Sequence, residues 1–91
     1  MKLDSLTTEF VENIPEYFQL KEGIIYISRK YETAIHLCAC GCGLQTVTPF
    51  GDGGWKLTVE GDKVSLSPSI GNWQFPCKSH YFFRENKIEW C

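Results

Sequence analysis

Apolar and polar residues alternate with a period of two over much of the chain, which predicts strands rather than helices. Trp55-Lys56-Leu57-Thr58-Val59 and Lys63-Val64-Ser65-Leu66-Ser67 alternate, and Glu60-Gly61-Asp62 between them supplies a hairpin turn. Gly23-Ile24-Ile25-Tyr26-Ile27-Ser28 is rich in β-branched residues and follows a turn at Lys21-Glu22-Gly23. Thr8-Glu9-Phe10-Val11-Glu12-Asn13-Ile14 reads as a strand ended by Pro15. Thr33-Ala34-Ile35-His36-Leu37 enters a cysteine-rich loop and Leu44-Gln45-Thr46-Val47-Thr48 leaves it, so that loop reads as a hairpin tip. Ser79-His80-Tyr81-Phe82-Phe83-Arg84 and Lys87-Ile88-Glu89-Trp90 pair about a Glu85-Asn86 turn. Between Ser67 and Trp73 the chain is expected to be irregular, because Pro68 cannot donate to a ladder and Gly71 punctuates. Only Pro15-Glu16-Tyr17-Phe18-Gln19-Leu20 could make a helical turn. The expected fold is all-β: an antiparallel meander of about six to seven short strands with minimal helix.

Length changes this picture, because 91 residues make one domain, residues 1–91, with a small core. Such a domain often needs a staple, and a bound metal is one. Three Trp, four Tyr and six Phe mean that a few large side chains build that core. Nine basic against eleven acidic residues leave a net charge of −2 and no basic stripe, which argues against nucleic acid as a partner. No apolar run is long enough for a signal peptide or a membrane span, so a cytoplasmic protein without a membrane partner is expected. In a reducing compartment, clustered cysteines are metal ligands or redox groups more often than disulfides.

The clusters are Cys38-Ala39-Cys40-Gly41-Cys42-Gly43 and Cys77-Lys78-Ser79-His80. Thiols two residues apart, with Gly41 and Gly43 between and after them, suit a tight loop whose sulfurs converge on one ion. Cys38, Cys40, Cys42 and Cys77 would close a tetrahedral zinc (Zn2+) site with no open position. In the rival set His80 replaces one loop cysteine, and spacing does not choose between them. His36, inside a strand pattern, reads as a hydrogen-bonded structural histidine. Cys91 is left over as a terminal thiol.

If the thiols satisfy the metal alone, His80 is released for other chemistry. Ser69, on an irregular turn and followed closely by Gly71, could present its hydroxyl to this base, with Ser67 as the second candidate. The plainer reading is that these serines cap turns and that Ser79 bonds backbone. Asp52, Glu60 and Asp62 lie in hairpin turns, and none is placed to orient a histidine. The aromatic residues read mainly as core, although one or two of Trp73, Phe75 and Tyr81 could stand exposed beside the metal corner.

Three stretches carry a resemblance: Tyr26–Tyr31 through Ala34–Gly43; Val64-Ser65-Leu66-Ser67-Pro68-Ser69-Ile70-Gly71-Asn72-Trp73; and Cys77-Lys78-Ser79-His80-Tyr81 with Trp90. From Phe10 onward the chain resembles a family of small bacterial and phage-borne proteins, domain-of-unknown-function family 6527. Members of that family occur in operons with bacterial ubiquitin-like proteins and their activating and conjugating enzymes, operons linked to defence against phage. The resemblance implies a role in ubiquitin-like modification, with family motifs falling on Cys38, Cys40, Cys42, Ser69, Cys77, Ser79 and His80.

Two functions follow. The favoured one is a small peptidase or isopeptidase acting on the ubiquitin-like modifier or its conjugates, with Ser69 as nucleophile, His80 as base and a structural zinc. The alternative is a non-catalytic zinc-knuckle adaptor that binds the modifier or its conjugation enzymes, with His80 on the metal. A metallopeptidase is disfavoured because thiolates blunt the Lewis acidity of zinc. A nucleic-acid-binding zinc ribbon is disfavoured by the acidic balance.

Overall fold

Alternation of buried and exposed residues turns the predicted strands into two four-stranded sheets. The computed structural model describes residues 2–91. The first sheet has the order β1-β2-β3-β4, from β1 (Thr7–Phe10), β2 (Ile24–Ser28), β3 (Thr33–Leu37) and β4 (Gln45–Pro49). The second has the order β5-β6-β7-β8, from β5 (Lys56–Glu60), β6 (Lys63–Gly71), β7 (His80–Arg84) and β8 (Lys87–Trp90). The one short helical element among the described residues is a 3₁₀ turn at Tyr17–Gln19, where a helical turn was expected.

The all-β expectation is met, with two differences of detail. Among the described residues the strands number eight, and β1 pairs with β2 in parallel, Thr7 opposite Ile24 and Phe10 opposite Ile27. A parallel neighbour needs a crossover, and residues 11–23, containing the 3₁₀ turn, make it. The other pairs are antiparallel. The stretch expected to be irregular proves to be the end of β6. From Leu66 to Ile70, β6 advances four positions while β7, from Phe83 to Tyr81, advances two. This bulge contains Pro68 and absorbs the missing ladder donor without ending the strand.

Both sheets bury one face in a shared core. Ile25, Ile27 and Ala34 come from the first sheet; Val64, Leu66, Ile70, Tyr81, Phe83 and Ile88 come from the second. On β7 the odd-numbered residues are the buried ones, so His80 and Phe82 lie on the outer face. On β6, Ile70 is buried, which turns Ser69 and Gly71 outward on the same side as His80. The N-terminal segment straps the sheets together: Leu3 N–H donates to Ala39 O, Ile88 N–H to Asp4 O, and Trp90 Nε1 to Leu3 O. No helix among the described residues is long and apolar enough to cross a membrane.

One polar link runs through this core. His36 is fully buried, and its Nε2 lies 2.8 Å from the hydroxyl of Tyr81, itself fully buried. The same hydroxyl accepts from Ala39 N–H and from Asn72 Nδ2, both at 3.4 Å. Burial holds His36 neutral, lowering its pKa to about 4, and raises that of Tyr81. His36 is therefore the structural histidine that its strand position suggested. Its Nδ1 already has no partner, so Tyr81→Phe would leave both ring nitrogens without one. That change is expected to cost about 1–3 kcal/mol, enough to lower the melting temperature in a circular-dichroism melt by roughly 5–20 °C.

Candidate functional site

The β3–β4 hairpin tip, residues 38–44, holds three of the cysteines. Its tightness depends on Gly41 and Gly43, whose φ values of 91° and 82° suit glycine far better than any other residue. Cys77 approaches from the loop before β7. Cys38 Sγ lies 3.5 Å from Cys40 Sγ and 3.8 Å from Cys77 Sγ, and Cys77 Sγ lies 3.8 Å from Cys42 Sγ. All four sulfurs fall within 4.8 Å of one another. Ligands about 2.3 Å from a tetrahedral zinc are separated by about 3.8 Å along each edge, so the cluster could hold a metal ion and is consistent with zinc.

The surroundings favour thiolate at one corner and thiol at others. Ser79 Oγ donates to Cys77 Sγ at 3.1 Å, and this bond is the main cause that brings the Cys77 pKa down to about 6. Loss of hydration pushes Cys38 up and takes Cys42 up to about 12. A bound cation would draw off these remaining protons. Asn72 Nδ2 donates to Cys38 Sγ at 3.3 Å while Asn72 Oδ1 accepts from Thr46 Oγ1 at 3.2 Å. Cys38 and Cys77 therefore each receive a hydrogen bond from a buried residue, Asn72 just after β6 and Ser79 just before β7.

Neither histidine belongs to the sulfur group. His80 Nε2 lies 2.7 Å from Ser69 Oγ, a contact between cross-strand neighbours on the outer face. The bulge carries Ser69 there, and Gly71 sits directly opposite His80. Of the other serines considered, Ser67 pairs with Lys56 in the ladder and Ser79 serves Cys77, so only Ser69 meets the imidazole. Cys91 N–H donates to His80 O, so the last residue is tied to β7 through its backbone.

The indole of Trp73 lies against His80, with ring centroids 4.9 Å apart. Trp73 is 60% exposed, as one aromatic near the metal corner was expected to be, whereas Tyr81 is core. Two recesses meet at Trp73. One, of about 390 Å³, runs past Trp55, Gly71 and Phe75; the other, of about 650 Å³, past Cys77, Lys78, His80 and Trp90. His80 borders the second of these recesses, and Gly71, opposite it in the ladder, borders the first. The sequence reading missed Asn72, whose bridge to Cys38 has no local signature, and the way Trp73 packs on His80, which depends on strand register.

No curated protein and no solved structure matches the chain. A family model does, over residues 10–91, and its description is bacterial ubiquitination-like system serine protease (BubE). The match begins at Phe10, where the sequence resemblance begins, and takes in the cysteine cluster and both members of the Ser69–His80 pair. With nine-tenths of its length accounted for in this way, the chain belongs to the BubE family of bacterial ubiquitination-like systems.

Proposed function

We propose that the protein is a serine peptidase that cleaves a ubiquitin-like modifier at its C-terminal extension or at its bond to a target, with Ser69 as nucleophile and His80 as general base. The observation that carries this reading is the 2.7 Å contact between Ser69 Oγ and His80 Nε2 on the outer face of the second sheet. Family membership supplies the reaction class and the pathway. In the proposed reaction His80 Nε2 takes the Ser69 proton as Oγ attacks the scissile carbonyl. The resulting imidazolium gives that proton to the departing amine, leaving an acyl-enzyme on Ser69. Water then attacks with His80 again as base, and Ser69 is regenerated.

The four-cysteine cluster is the proposed seat of a structural zinc, held by Cys38, Cys40, Cys42 and Cys77. When bound, the ion neutralises clustered thiolates and fixes the two loops that carry them. Four sulfur ligands leave no position for water, so the hydrolytic work falls to Ser69 and His80. Partners are drawn from the same pathway: the modifier, its conjugates and its conjugating enzymes.

A fluorophosphonate probe tests the nucleophile directly. The expected result is one phosphonyl adduct per chain, located on Ser69 by peptide mass spectrometry and absent from Ser69→Ala and His80→Ala. A wild-type protein that cleaves a modifier–reporter fusion yet carries its adduct elsewhere would remove Ser69 from the role. Absence of both adduct and cleavage would favour the adaptor.

A further inference from the structure

A serine–histidine pair works only if the imidazole is held with the correct nitrogen toward the hydroxyl, and a carboxylate usually does this. Among the described residues, no carboxylate pairs with the His80 ring. The ring meets Ser69 Oγ at 2.7 Å, the Trp73 ring at 4.9 Å and the Phe82 ring at 6.4 Å between centroids. Two of these contacts are aromatic, so packing rather than a second hydrogen bond restricts the ring.

Trp73 can lie where it does because residue 71 is glycine. A Cβ built on Gly71 would sit 2.5 Å from Trp73 Nε1 and 3.1 Å from both Cδ1 and Cε2, far inside contact distance. Gly71 is also the residue paired across the ladder with His80. The indole therefore drops into the place of the missing side chain and meets the imidazole from there. The backbone just before it is fixed as well: Asn72 is buried, its N–H donates to Ser79 O at 2.7 Å and its O accepts from Phe75 N–H at 3.0 Å. A ring that is 60% exposed thus has its position set by a glycine and by its buried neighbour.

Building on the assignment of Ser69 and His80, we infer that Trp73 is the positioning residue of the pair. Its indole holds the His80 imidazole with Nε2 on Ser69, and Gly71 is required to admit it. The place a carboxylate takes in a triad is filled here by an aromatic face.

The test compares Trp73→Ala, Trp73→Phe and Gly71→Ala with wild type and with Ser69→Ala, using a modifier–reporter fusion as substrate. Misplacing a reacting group by about 1 Å can cost about 100-fold, so Trp73→Ala is expected to lower kcat by about 10- to 100-fold with KM changing much less. Trp73→Phe should recover most of that loss. Gly71→Ala should reproduce it although the tryptophan is still present, because the added methyl displaces the indole. Long-range ¹H–¹⁵N spectra of His80 give a readout independent of turnover: one tautomer in wild type and in Trp73→Phe, an averaged pair in Trp73→Ala and Gly71→Ala. A raised KM at unchanged kcat, with the wild-type imidazole spectrum, would mean that Trp73 only grips substrate and would overturn the inference. The control keeps the two readings separate. If Ser69→Ala retains cleavage, the serine–histidine assignment has failed; if Ser69→Ala is inactive while Gly71→Ala and Trp73→Ala keep wild-type kcat and spectra, only the role of Trp73 has.

Discussion

Ser69→Ala is expected to lower kcat/KM for a modifier–reporter fusion by at least about 10³- to 10⁴-fold, or about 4–5.5 kcal/mol of transition-state stabilisation. The hydroxyl is the only atom lost, and with it goes the covalent route. His80→Ala should cost a similar factor, and the double variant little more than either single one, because nucleophile and base act as a unit. Both side chains lie on the outer face of the second sheet, away from the core that holds Tyr81 and Phe83. Their removal is accordingly expected to leave metal content intact and to change stability by less than about 1 kcal/mol. The metal measurement decides as much as the kinetics. If His80→Ala emptied the metal site, the imidazole would be a ligand, as in the rival ligand set, and the peptidase assignment would lose its base.

How far the sequence predicts this arrangement depends on whether each feature is local. Strands such as Lys56–Glu60 are legible because alternation is written within a few residues and the turn at Gly61 closes them. The convergence of sulfurs is legible because glycines at 41 and 43 permit one kind of loop. The parallel β1–β2 pair is not legible, since it depends on a crossover whose length says little about where β1 docks. The end of β6 reads as irregular for a better reason: Pro68 does break the ladder rules, although Gly71 keeps its place opposite His80. The strand survives because β7 runs past the break with fewer residues than β6 uses.

The candidate site divides the same way. Its residue types, a serine, a histidine and four cysteines, can be picked out by their chemistry. Whether His80 faces the cysteine cluster or Ser69 depends on the phase of β7, where Tyr81 and Phe83 are drawn into the core and His80 is turned outward. A one-residue slip would reverse every side chain on that strand. Asn72 and Trp73 illustrate the remaining gap. Their partners, Cys38 and His80, lie far along the chain or across the ladder, and no local pattern announces either contact.

Removing the metal is expected to do more damage than removing any one side chain of the serine–histidine pair. Structural zinc contributes apparent binding energies of about 10–16 kcal/mol in small peptides, whereas a whole domain is stable by about 5–15 kcal/mol. The cluster also sits outside the strand ladders. Residues 38–44 and 72–79 carry no strand. Cys38 and Ala39 nevertheless belong to the hydrophobic core, so loosening the tip opens the core itself. Bare thiolates packed within 4.8 Å would repel one another, and protonating them removes the charge but leaves only weak S–H···S hydrogen bonds to link the two loops. A strong chelator, or Cys38→Ala, is therefore expected to lower the melting temperature by about 20 °C or more, or to abolish cooperative unfolding. Cleavage should vanish with it, because Asn72 and Ser79 connect the sulfurs to the ends of β6 and β7, where Gly71 and His80 lie. Native mass spectrometry with calorimetry checks this, the expected result being one zinc per chain and a melt that recovers when zinc is restored. A chain that stays folded, cleaves its substrate and carries no ion after exhaustive chelation would remove the metal from this account of the fold.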